Sequence, residues 1–142
     1  MALQWTSTLS VGVPEIDAQH QELFRRVDWL LDAVLRRDRV EAAAVLGWLD
    51  GFVQEHFAAE ERLMAESGFP EAEQHVQEHR AFAKRLTAIA ADHAAQGPSA
   101  AVVYALEQHA VGWLMDHVYF ADVALGRWVL ARQAAAGARA AC

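Results

Sequence analysis

His56-Phe57-Ala58-Ala59-Glu60 and His75-Val76-Gln77-Glu78-His79, with the turn Ser67-Gly68-Phe69-Pro70 between them, decide how this chain folds. In each stretch two metal-ligand side chains stand at i,i+4. A helix turns about 100° per residue, so such a pair projects from one face, one turn apart. Gly68 ends one helix and Pro70 suits the first turn of the next, so the stretch is a helical hairpin with two donors on each arm. Whether the donors converge depends on the helices that flank the hairpin.

Working outward, the arm that carries His56 and Glu60 continues back through Val53, Phe52, Leu49 and Val45 on one face, which predicts a helix over about 40–65. Asp38 followed by Glu41 is a capping pair for its start. The other arm carries Phe82, Leu86 and Ile89 beyond His79, predicting a helix over about 71–93. Before the hairpin, Leu23, Phe24, Val27, Leu30, Leu31 and Val34 mark a helix over about 17–37, with His20 on its apolar face. After it, Gln96-Gly-Pro-Ser99 is a break with Ser99 as N-cap. Val102, Leu106, Ala110, Trp113, Leu114 and His117 then predict a helix over about 99–118, and a short helix is expected over about 121–135 with Trp128 and Leu130 as anchors. Residues 1–16, with Gly12 and Pro14, read as an arm that packs through Trp5, Leu9, Val11 and Ile16. The expectation is an all-α protein, a single domain over 1–142. It is an antiparallel up-down-up-down four-helix bundle with an N-terminal arm and a short C-terminal helix.

Bundle geometry offers a test of convergence, because residues equidistant from an antiparallel turn lie at equal depth. His20 and His56 are each 18 residues from Asp38. Glu60 and His75 are 8 and 7 from Gly68, and His79 and His117 are 18 and 20 from Gly97. At about 1.5 Å of rise per residue these mismatches amount to about 3 Å. Five histidines and Glu60 thus fall in one inward-facing layer, whereas His93 and His109 lie outside it and read as ordinary core or boundary histidines. Burying that many imidazoles without partners would cost about 1–3 kcal/mol for each unsatisfied group. A metal supplies the partner. Five imidazoles are too many for one tetrahedral zinc and too nitrogen-rich for calcium or magnesium. They suffice for two first-row ions bridged by carboxylates. Glu60 is one bridge. The second should come from near His117, either Asp116 or Asp122, with Asp122 favoured if a bulge or helix end turns it inward. Asp17, Asp50 and Glu78 read as capping or solvated-face residues.

Composition narrows the function. The 142 residues are 54% hydrophobic and 22% charged, which is a globular balance. A net charge of −7 argues against nucleic acid or anionic membrane as the main partner. No run approaches the roughly 18 apolar residues of a membrane span, and no secretory signal is evident. The single cysteine, Cys142, precludes an internal disulfide, so a cytoplasmic location is expected.

The set His20, His56-x3-Glu60, His75-x3-His79 and His117-x4-Asp122 resembles the hemerythrin family in its single-domain bacterial form, over about residues 5–128. The resemblance selects Asp122 as the second bridge. It implies two iron ions in a non-haem di-iron centre with an oxo or hydroxo bridge. One iron would be held by His75, His79 and His117, the other by His20 and His56 with one position open, and Glu60 and Asp122 would bridge them. It implies reversible binding of dioxygen, for storage, for delivery to an oxygen-using enzyme, or for sensing, by a monomer that is not an enzyme. The alternative is a di-iron enzyme handling peroxide or nitric oxide. Helix angles place Leu114, Val118 and Ala121 between His117 and Asp122, with Phe57, Val53 and Met64 flanking His56 and Glu60. They would form the apolar lining of the oxygen pocket. Whether Tyr119 reaches the site is left open by the sequence.

Overall fold

The computed structural model describes residues 3–141, and Cys142 therefore lies outside the described residues. Helix α1 is Pro14–Leu35, α2 is Arg39–Ser67 and α3 is Ala72–Gln96. Helix α4 runs without a break over residues 100–141. The helices form the antiparallel four-helix bundle.

Each helix end has a local cause. Proline is tolerated at N1 because that position needs no N–H partner, so Pro14 begins α1 rather than belonging to the arm. Helix α1 ends with Arg37 in the left-handed region (φ 60°), and Asp38 N–H donates to Ala33 O at 2.9 Å. Asp38 then caps α2, its side chain accepting from Glu41 N–H at 3.0 Å. Gly68 (φ 66°) closes α2, with Phe69 N–H donating back to Met64 O. Ser99 caps α4 by accepting from Val102 N–H at 3.2 Å.

Helix α4 differs from the sequence expectation. No turn separates a fourth helix from a short C-terminal one. Two six-residue π-helical segments, Leu106–Val111 and His117–Asp122, are spliced into one continuous helix. The second sits where the break was expected. Beyond it, Trp128 Nε1–H donates to Ser67 O at 3.0 Å, tying the C-terminal part of α4 to the end of α2. Leu130, the other expected anchor, is largely exposed, though its tip meets Gly12.

The arm runs back over the bundle. Leu3 N–H donates to Asp28 of α1, while Asp17 accepts from Ser10 Oγ–H and Val11 N–H. A Cβ on Gly126 would stand 2.0 Å from Val11 O, so only glycine lets the arm lie this close to α4. The buried core falls into a large cluster filling most of the bundle and two smaller ones near the α2–α3 turn. One of these is built on Met64, Phe69, Leu125 and Val129, the other on Val11, Ile16 and Ala59. The polar layer lies between them. No described helix is long and apolar enough to cross a membrane.

Candidate metal centre

All seven candidate ligands are buried: His20, His56, Glu60, His75, His79, His117 and Asp122. Helix α1 supplies one, α2 and α3 two each, and α4 two. Their donor atoms form two groups, each within 4.8 Å: Glu60, His75, His79, His117 and Asp122, and His20, His56, Glu60 and Asp122. Glu60 and Asp122 belong to both groups. Glu60 Oε1 is 3.2 Å from His20 Nε2 and 3.0 Å from His56 Nε2, while Oε2 is 3.2 Å from His75 Nε2 and 3.0 Å from His79 Nε2. Asp122 Oδ2 stands 3.0 Å from His20 Nε2, and Oδ1 stands 3.0 Å from His75 Nε2 and from His117 Nε2.

Asp122 depends on the π segment. In a regular α-helix, residues five apart diverge by about 140°. In a π-helix the backbone bonds i to i+5, so His117 and Asp122 stack one turn apart.

The hydrogen positions bear on whether a cation fits. His56 Nδ1–H donates to Gln19 Oε1 at 2.7 Å, His79 Nδ1–H to Glu61 Oε1 at 3.1 Å and His117 Nδ1–H to Glu78 Oε2 at 2.8 Å. A carboxylate or amide oxygen only accepts, so these three imidazoles carry hydrogen on Nδ1 and turn the Nε2 lone pair inward. Those lone pairs face carboxylate lone pairs about 3 Å away. Among the described residues, Asp122 Oδ1 and Oδ2 and His117 Nε2 are buried with no hydrogen-bond partner, although they lie so close together. Convergent acceptors without a donor call for a cation, and the nitrogen-rich donor set suits first-row transition ions.

Without a metal, protons take that role. Burial alone would lower the pKa of His20 and of His75, but the Asp122 and Glu60 carboxylates outweigh it and raise each from 6.5 to about 9. Burial pushes Glu60 up, yet the His56 charge and the hydrogen bonds of His20, His56 and His75 hold it well below the ordinary carboxylate range. Asp122 is likewise lowered. Burial and the Glu60 charge oppose that shift, but His117, His20 and His75 prevail.

A scan of family models matches residues 11–128 to the hemerythrin HHE cation binding domain. The chain belongs to the hemerythrin family. The bacteriohemerythrin of Stenotrophomonas maltophilia is 32% identical over 59% of this chain, and the match spans only 55% of that relative. The myohemerythrin of Riftia pachyptila is 28% identical over 80% of this chain and 82% of its own length. The bacteriohemerythrin of Aquifex aeolicus is 28% identical over 83% and 90%. The matched region of this hemerythrin-family chain takes in all seven candidate ligands, the whole of α1 to α3, and α4 as far as residue 128.

Around the ligands, the structure sorts the remaining candidates. Leu114 and Val118 are buried in the main core cluster. Phe57 is buried with its ring stacked 3.9 Å over His79, and lies 5.9 Å from His56. Ala121 is half-buried and lines an open groove with Glu78, Trp113, His117 and Phe120, not the interior. Tyr119 is 53% exposed and packs edge-on against Phe120, away from the centre. Asp17 caps the arm and Asp50 is exposed. Glu78 corrects the sequence expectation: it is not a solvated-face residue but the partner of His117.

Sequence reasoning missed Gln19, Glu61 and Glu78 as partners, and missed that Trp113 stacks on His117 at 4.2 Å. The three partners share a signal. Each is the immediate sequence neighbour of a ligand, and each serves a histidine on the next helix: α1 to α2, α2 to α3, α3 to α4.

Proposed function

We propose that this chain binds dioxygen reversibly at a non-haem di-iron centre formed by His20, His56, Glu60, His75, His79, His117 and Asp122. The observation that carries the reading is the pair of buried donor groups sharing Glu60 and Asp122. Two ferrous ions held there would supply the two electrons that reversible dioxygen binding requires. His75, His79 and His117 would offer three imidazoles to one ion and His20 and His56 two to the other, so the His20/His56 side has the fewer protein donors. Glu60 and Asp122, which belong to both donor groups, would be shared by the two ions. Leu114 and Val118 keep bulk water from the layer, and the small clusters at Met64 and Ile16 close its other end.

Binding rather than turnover follows from what meets the open side. His56 is contacted by Gln19, Phe52 and Phe57, and its carboxylate contact is Glu60, itself committed to four imidazoles. Beyond the candidate ligands, these contacts of His56 are an amide and two phenyl rings, none of which is an acid that could protonate and release a reduced product. Storage, or delivery to an oxygen-using enzyme, is the role this supports.

The test is to cycle the iron-loaded chain between air and argon while recording its visible absorption. A band that appears and disappears over repeated cycles is expected. Irreversible bleaching with consumption of added peroxide would instead favour the di-iron enzyme.

A further inference from the structure

The partners of the imidazoles are unequal across the centre. In the group of three histidines, His79 and His117 each donate Nδ1–H to a carboxylate, Glu61 and Glu78. In the group of two, His56 donates to the neutral amide of Gln19, and His20 Nδ1 is buried without a hydrogen-bond partner among the described residues. Aromatic packing follows the same division. Phe57 stacks on His79 with an interplanar angle of 6° and Trp113 on His117 with 11°, whereas the phenyl rings facing His56, Phe57 and Phe52, stand 5.9 and 6.4 Å off. A carboxylate that accepts from Nδ1 pulls the proton away from the ring and makes Nε2 a stronger donor to a metal. It also fixes the ring's orientation. An amide does the second but hardly the first.

We propose that Glu61 and Glu78 are positioning residues acting through His79 and His117, so that the His75/His79/His117 side binds its ion first and more tightly, while Gln19 leaves the His20/His56 side the weaker of the two. The inference rests on the seven-residue centre proposed above. It adds an order of assembly: the three-histidine ion organises Glu60 and Asp122, and the second ion enters a site already half-built. Glu61 and Glu78 are 39% and 36% exposed, so their carboxylates can be altered without opening the core.

The test is titration of the metal-free chain with cobalt(II), a coloured stand-in for ferrous iron, against a competing chelator. Wild type should bind two ions in resolved steps. In the double variant Glu61→Gln with Glu78→Gln, the amide oxygens still accept from Nδ1–H while the charge is gone. The first step should weaken by about 10–100-fold, the second much less, and the steps should merge. Gln19→Glu should tighten the second step alone. Thermal unfolding of the metal-free variants tells a folding defect from a ligand effect. The hyperfine-shifted, exchangeable imidazole N–H signals of the cobalt-loaded chain report on His79 and His117 directly, and should move in the double variant. Equal steps in wild type, an unchanged first step in the double variant, or equal weakening of both steps would overturn the inference. Fewer than two ions bound by wild type would sink the centre itself, and the inference with it.

Discussion

At the residue scale, Glu60 is the most committed side chain in the molecule, with its two oxygens against four imidazoles and no exposure. Removing one partner of a buried ionic set leaves the others uncompensated, at about 3–5 kcal/mol. Glu60→Ala should therefore lose that much stability in urea unfolding of the metal-free chain, and should no longer hold two ions. A loss under about 1 kcal/mol would mean the histidines do not depend on it. Leu114 makes a different test. Leu114→Ala should cost about 2–5 kcal/mol as a core cavity, and should shorten the life of the oxygenated form if the side chain also keeps water out. An unchanged decay would reduce it to core packing. That His20, His56, Glu60, His75, His79 and His117 gather in one buried layer could be read from sequence because i,i+4 spacing and equal distance from turns are local properties, whereas Asp122 was settled only through the family resemblance. Gln19, Glu61 and Glu78 could not. Their roles arise between helices, and a glutamate beside a ligand looks the same whether it faces water or an imidazole.

At the element scale, the informative features are helix ends and irregularities. Arg37 occupies a left-handed position that costs a residue with a Cβ about 1–2 kcal/mol. Arg37→Gly should raise stability by about 1 kcal/mol, read as a shift in the urea midpoint; a lower midpoint would show that the arginine side chain contributes more than its backbone costs. Gly126 works in the opposite sense. A methyl there collides with Val11 O, so Gly126→Ala should displace the arm, lower stability by about 1–3 kcal/mol and speed proteolysis of the N-terminal residues. Unaltered protease resistance would argue against the arm's docking on α4. The caps at Asp38 and Ser99 and the turn at Gly68 were readable because each has a residue type its geometry demands. The π segments were not. Nothing in Leu106–Val111 or His117–Asp122 departs from ordinary helical composition, and only the need to bring Asp122 beside His117 hinted at a bulge. Pro14 was misplaced for a related reason: proline suits both a loop and the first turn of a helix.

At the scale of the whole molecule, the centre links folding, pH and metal. In the metal-free chain His20 and His75 are raised from 6.5 to about 9, so they bind protons more tightly folded than unfolded. Their contribution to stability is complete below about pH 6.5 and is lost as the pH rises through about 9. Glu60 and Asp122 are lowered, so their contribution is present above the ordinary carboxylate range and is lost in strong acid. The thermal midpoint of the metal-free chain should therefore fall between pH 6.5 and 9. Metal should reverse that slope, because it displaces the same protons and binds more tightly as they leave. A metal-free midpoint that climbs over this range would contradict the proton-filled centre. The most direct measurement is anomalous diffraction at the iron edge from crystals of the iron-loaded chain. Two peaks are expected, one beside His75, His79 and His117 and one beside His20 and His56, with Glu60 and Asp122 between them. A single peak, or a peak away from these seven side chains, would contradict the two-metal centre.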